Sequence, residues 1–209
     1  MLGVDSGGLV DPRELKRALR PETVLVSVMA ANNEIGSVQP MAALGAIVRE
    51  HGALFHTDAA QAVGKVPIDV RTMNIDLLSL TGHKFYGPKG CGALFIRKAR
   101  PRIVLAPQAV GGGQENGIRS GTLNVPGIVG LARAAEICRL EMAEEAARLG
   151  ALRDRLLDGL RALPGLRVNG TMEQRLPHNL HVSFDGIEGE RLLMALGDLA
   201  VSTGSACST

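Results

Sequence analysis

Three polar clusters each stand directly after a short apolar run, and together they form a set of side chains able to do chemistry. Asn32-Asn33-Glu34 comes after residues 23–29, Asp58-Ala59-Ala60-Gln61 after residues 54–57, and Thr81-Gly82-His83-Lys84 after residues 76–80. Lys84 is the sharpest of these residues. The chain has 23 basic residues, of which only five are lysines (16, 65, 84, 89 and 98), so lysine is not its default cation. An amine in a partly desolvated cleft forms imines with carbonyl cofactors. Pyridoxal phosphate held in this way takes an acidic partner on its pyridine nitrogen, and Asp58 at a neighbouring strand end suits that role. Thr81 and His83 flank Gly82 and suit a phosphate, because glycine permits close backbone approach and loop amides add donors. Plainer readings stand beside these. Lys84 also fits a surface loop, Asp58 a helix N-cap, His83 a packed core histidine and Asn33 a turn residue at positive φ.

Cys207 lies in Ser202-Thr203-Gly204-Ser205-Ala206-Cys207-Ser208-Thr209. Small residues throughout predict a flexible loop with an accessible, reactive thiol. Cys91, between glycines at a strand start, and Cys138, on a helix near Ile137 and Leu140, are expected to be buried. Three widely spaced cysteines make neither a disulfide framework nor a zinc site and point to a reducing compartment. His178 and His181 would face opposite sides of a strand, so no resident metal site is expected.

The elements that must position these groups alternate between strand and helix. Asp11-Pro12 reads as N-cap and first helical residue. Residues 23–29 are short, β-branched and apolar, as in a buried parallel strand. Pro40 opens a helix with Met41, Leu44, Ile47 and Val48 on one face. Residues 54–57, 76–80 and 91–96 read as further strands. This rhythm predicts an α/β fold with a mainly parallel sheet, in which ligands bind beyond the carboxyl ends of the strands. A glycine-rich loop follows at residues 111–121. A helical region then runs from Asn124 to about Leu163, and its second stripe (Leu152, Leu156, Leu160, Leu163) suggests two helices. Residues 166–168 and 179–184 read as strands, and 190–196 as a short helix. A soft boundary near residue 142 divides residues 1–142 from residues 143–209.

Composition narrows the function classes. Hydrophobic residues make up 45% and charged residues 21% of 209, enough for a packed core. With 2% aromatics, that core must be built from Ala, Val, Leu and Ile. A net charge of +2 gives no electrostatic case for direct nucleic-acid or membrane-surface binding. Apolar runs fall short of the ~20 residues of a membrane span. The start, Met1-Leu2-Gly3-Val4-Asp5, has no secretory signature. A cytoplasmic protein is expected.

With these residues in hand, the chain resembles the cysteine desulfurases. The resemblance rests on Ala31-Asn32-Asn33-Glu34-Ile35-Gly36, His56-Thr57-Asp58-Ala59-Ala60-Gln61, Thr81-Gly82-His83-Lys84-Phe85-Tyr86-Gly87-Pro88-Lys89-Gly90, Gly111-Gly112-Gly113-Gln114-Glu115, Arg119-Ser120-Gly121-Thr122 and the Cys207 segment, in order over nearly the whole chain. It implies the aspartate-aminotransferase-like large domain of pyridoxal-phosphate enzymes (fold type I) and part of the small C-terminal α+β domain. Lys84 would hold the cofactor as a Schiff base and later move the substrate's Cα proton. Asp58 would pair with the pyridine nitrogen and Gln61 with the ring hydroxyl. Asn33 would contact the ring oxygen or the substrate carboxylate, and Thr81 and His83 the phosphate. Thr122 would reach the phosphate of a partner subunit's cofactor, implying a homodimer. Cys207 would take sulfur from L-cysteine, leaving L-alanine and a persulfide for iron–sulfur scaffolds, tRNA thiolation or other acceptor proteins. It is also a candidate transient iron–sulfur ligand.

The family's chains also carry a segment ahead of Met1, with a threonine loop and a histidine that stacks on the ring, and an arginine beyond Thr209. The resemblance therefore implies a truncated chain, a sheet missing at least one strand and weak turnover by the 209 residues alone. Two other functions fit the same residues. One is a lyase acting on selenocysteine or another β-substituted alanine; the other is an inactive truncated paralogue that acts only in binding.

Overall fold

A computed structural model of the chain describes residues 1–98 and 102–204. Local chemistry starts the first helix as expected. Asp11 accepts a hydrogen bond from Arg13 N at 2.8 Å, and Pro12 opens α1 (Pro12–Ala18) with its φ already set. Four strands follow: β1 (Leu25–Ser27), β2 (Leu54–Asp58), β3 (Leu77–Thr81) and β4 (Gly92–Ile96). They form one sheet in that order, β1 to β3 parallel and β4 antiparallel to β3. Helix α2 (Met41–His51) crosses from β1 to β2 and ends on Gly52, whose φ of 89° closes the last turn.

Strand alternation sorts the sheet into two unlike faces. Val26, Phe55 and Leu78 point to one side and join Leu15 of α1, Leu44 and Val48 of α2, and Ile75 in the main core. Thr57 shares that side and is fully buried, its hydroxyl without a hydrogen-bond partner among the described residues. Ser27, His56, Asp58, Ser79 and Thr81 occupy the other side, each at least partly open to solvent. The apolar residues chosen by period thus mark the helix-covered face, and the polar ones mark the open face.

Beyond the sheet, the region after Asn124 is a single helix, α3 (Val125–Leu160), of 36 residues rather than two. Residues 141–149 are nearly all strong helix formers, and Arg148 pairs with Glu145 one turn away, so the chain has no reason to break there. The boundary expected near residue 142 falls inside this helix. Strands β5 (Leu166–Val168) and β6 (Val182–Phe184) form an antiparallel pair, and α4 (Gly189–Ala195) follows. Cys138 is buried as expected, but Cys91 is only half-buried because its strand lies at an open sheet edge. No helix among the described residues is long and apolar enough to cross a membrane.

Helix α2 seats on the core through Gly45. A Cβ there would lie 2.0 Å from the carbonyl oxygen of Met73, a backbone atom that cannot swing aside. Gly45→Ala should gain about 1 kcal/mol in helix propensity yet lose more to overpacking. Urea unfolding should show net destabilisation, and a stabilised variant would mean that α2 can slide off Met73.

Candidate active site

Backbone pairing brings the three polar clusters to one place. Ala30 N donates to Asp58 O at 2.8 Å, so the chain leaving β1 runs beside the end of β2. Ala59 N donates to Ser79 O at 2.9 Å, so the chain leaving β2 runs beside the end of β3. Asn33, Asp58 and the turn carrying Lys84 therefore follow three adjoining strand ends.

The Asp58 carboxylate is exposed, and its Oδ1 accepts from Ala60 N at 2.9 Å. That bond caps a turn rather than a helix, so the N-cap reading of Asp58 holds only in this reduced form. Half-buried Gln61 lies in the same turn. Asn33 is half-buried and is not at positive φ. Asn32 builds the turn instead: its Oδ1 accepts from Glu34 N and Ile35 N, each at 2.9 Å. Its neighbour Asn33 is thereby presented without having to shape the turn.

Thr81 ends β3 and leads into one 3-10 turn, Gly82–Lys84. Thr81 Oγ1 and His83 Nδ1 lie 3.0 Å apart. When the imidazole donates, the Thr81 hydroxyl is free to donate in turn, and its acceptor here is Cys91 O, a long contact at 3.5 Å that an anion would replace. His83 is exposed, which removes its core-histidine reading, and Lys84 is half-buried. The amide nest is smaller than expected, because Gly82 N is committed to Cys91 O at 2.9 Å. Tyr86, with φ 69° and 80% exposure, reverses the chain just after Lys84.

Helix α3 buttresses this turn from behind. Phe85 packs with Ala134 and Cys138, and the Cys138 thiol lies 3.6 Å from Phe85 O. Burial pushes that thiol up from its ordinary value, which suits an inert packing residue. A cavity on this rear side is lined by α3, Tyr86 and Lys65. Burial, and secondarily the charge of Lys84, holds the Lys65 amine below the usual lysine value. Lys65 is therefore a second half-buried lysine close to Lys84.

Thr122 is exposed in the segment leading into α3. Cys207 lies outside the described residues. Gly204, nine residues beyond the end of α4 at Ala195, is described: a Cβ on it would lie 3.3 Å from Glu34 Oε2. The sequence reading assigned nothing to the polar row on the open face. His56 Nδ1 meets Ser27 Oγ at 2.7 Å, and its Nε2 meets Ser79 Oγ at 3.3 Å. The i, i+2 spacing of His56 and Asp58 on a strand was the available signal. Arg175 and Asn179, described below, carried no such signal.

Comparison with known proteins matches residues 1–209 to Aminotransferase class-V. The chain belongs to this family. It is 57% identical over 203 residues to cysteine desulfurase IscS of Anaeromyxobacter sp. (strain K), covering 97% of this chain and 50% of that protein. Among solved structures, a NifS-like protein superposes with a TM-score of 0.88 at 44% identity, over 94% of this chain and 53% of the other. SspA in complex with cysteine superposes with a TM-score of 0.78 at 37% identity, over 98% and 56%. The chain spans about half the length of the curated relatives it matches. The expected aspartate-aminotransferase-like α/β fold, with its mainly parallel sheet, is the fold found.

This family uses pyridoxal phosphate, and the donor set suits it: a primary amine, an exposed carboxylate and a hydroxyl–imidazole pair follow adjoining strand ends. The Lys84 turn depends on Gly87, where a Cβ would lie 2.9 Å from Gly82 O. In the full-length protein, Gly87→Ala should weaken pyridoxal phosphate binding roughly five- to tenfold, because it disturbs the Gly87 N to Gly82 O hydrogen bond that closes the turn, and one such bond is worth about 1 kcal/mol. Absorbance titration measures the effect, and parental affinity would show that the turn tolerates the displacement.

Proposed function

We propose that the full-length protein carrying this chain is a cysteine desulfurase, transferring sulfur from L-cysteine to Cys207 and releasing L-alanine. The observation that most supports this reading over other class-V chemistries is the seat of Gly204 against Glu34. The segment that leads to Cys207 reaches the turn bearing Asn33. The relatives named cysteine desulfurase and the neighbour solved with cysteine favour the same substrate.

In this reading Lys84 holds the cofactor and afterwards carries the Cα proton of the substrate. Asp58 would keep the pyridine nitrogen protonated, Gln61 would hold the ring hydroxyl, and Asn33 would contact the ring oxygen or the substrate carboxylate. Thr81 and His83 bind the phosphate, and Thr122 does so across a homodimer interface. The bound cofactor supplies an electron sink for the carbanion formed at the substrate. The Cys207 thiolate attacks the substrate sulfur, so an S–S bond forms as the C–S bond breaks and a proton returns to carbon. The persulfide then passes to iron–sulfur scaffold or other acceptor proteins in the cytoplasm.

Two measurements test this. Borohydride reduction of the reconstituted full-length protein should fix the cofactor to the peptide containing Lys84. A label on Lys65 or Lys89 would sink the assignment, and Lys65 is the stricter control because its amine is the one shifted down. Cys207→Ala should abolish persulfide while leaving cofactor absorbance intact. Alanine release at the parental rate in that variant would favour a lyase instead.

A further inference from the structure

Residues 169–179 reach back across the chain to the turn that carries Asn33. Leu176 N donates to Gly36 O at 2.8 Å, and Val38 N donates to Gln174 O at 2.8 Å. Asn179 completes this junction, with both ends of its amide in use. Its Nδ2 donates to Glu34 O at 2.9 Å, and its Oδ1 accepts from Arg175 Nη1 at 2.8 Å. The amide lies directly on Gly36, whose φ is 70° and where a Cβ would come within 2.4 Å of Asn179 Oδ1. Only glycine at 36 gives the amide this seat.

Arg175 fixes Asn179 in turn. It is 7% exposed, and it donates to Thr171 O at 2.8 Å and to Asn169 O as well as to Asn179. Among the described residues it pairs with no carboxylate, so a buried cation is held by neutral oxygens alone. Such an arrangement is a poor source of stability. What it achieves is orientation, because a planar guanidinium meets its acceptors in a fixed fork.

We propose that Asn179 is a positioning residue for Asn33: through Glu34 O it fixes the turn that presents Asn33 to the cofactor ring, and Arg175 locks its amide in that pose. This rests on the assignment of Asn33 in the proposed function. Neither Asn179 nor Arg175 touches a reacting atom in this reading. Their effect passes through the backbone of residues 33 and 34, and Gly204 sits beside Glu34 on the same turn.

The test uses the full-length protein reconstituted with pyridoxal phosphate. In Asn179→Asp, one oxygen still accepts from Arg175, while the other faces Glu34 O without a proton. Losing that hydrogen bond should weaken cofactor binding about tenfold. It should also move the midpoint of the pH titration of cofactor absorbance, with the melting temperature of the cofactor-free protein little changed. Asn33→Ala should move the midpoint in the same direction, and the double variant should add nothing further. Arg175→Lys keeps the cation but loses the fork, and should give a smaller shift of the same sign; it serves as the second variant if Asn179→Asp folds poorly. Parental affinity and midpoint in both clamp variants, beside a shifted Asn33→Ala, would overturn the clamp alone. No shift in Asn33→Ala would overturn the role of Asn33 together with the clamp. Lys84→Ala then reports independently whether the cofactor reading stands.

Discussion

Two backbone hydrogen bonds, Ala30 N to Asp58 O and Ala59 N to Ser79 O, hold the exits of three parallel strands side by side. Everything at the candidate site depends on that pairing. Parallel strands all release their chains at the same edge, so residues about 25 positions apart in sequence become neighbours without a dedicated contact. The side chains then need only local shaping. Asn32 folds one exit, Asp58 caps the next, and the Thr81–His83 pair with the Gly82 turn shapes the third.

The two faces of the sheet divide the labour. The helix side is dry enough to bury Phe55, Leu44 and Val48 completely, and it even tolerates a Thr57 hydroxyl that finds no partner among the described residues. The other side keeps Ser27, His56 and Ser79 linked in a row beneath Asp58. A one-residue slip of β2 would exchange these sets, burying an imidazole and a carboxylate in the core and exposing Phe55. The hydrophobic pattern thus sets the register, and the register sets which residues face the site.

Much of this was legible in the chain. Asp11-Pro12, the strand runs and Pro40 all fall within a few residues of the observed elements, because each is decided by local propensity and a single period. The clustering of Asn33, Asp58 and Lys84 followed from the rule for strand ends. The continuity of α3 was misjudged, since a second leucine stripe says which face is apolar and not whether the backbone breaks. The half-exposed Cys91 was misjudged because burial at a sheet edge depends on neighbours that composition does not reveal. Arg175 and Asn179 were invisible for a similar reason: they act only through contacts with residues far away in sequence.

The bond from Asn179 to Glu34 spans 145 positions. Closing a loop of that length costs on the order of 4 kcal/mol of chain entropy before any contact is rewarded. The neighbouring strands, α1 and α2 need far shorter closures and can settle first. In time order, then, the scaffold of the sheet precedes the turn bearing Asn33. Asn33 reaches its final pose only when a segment made 145 residues later folds back onto its turn. A nascent chain would therefore pair these four strands well before it had a finished site.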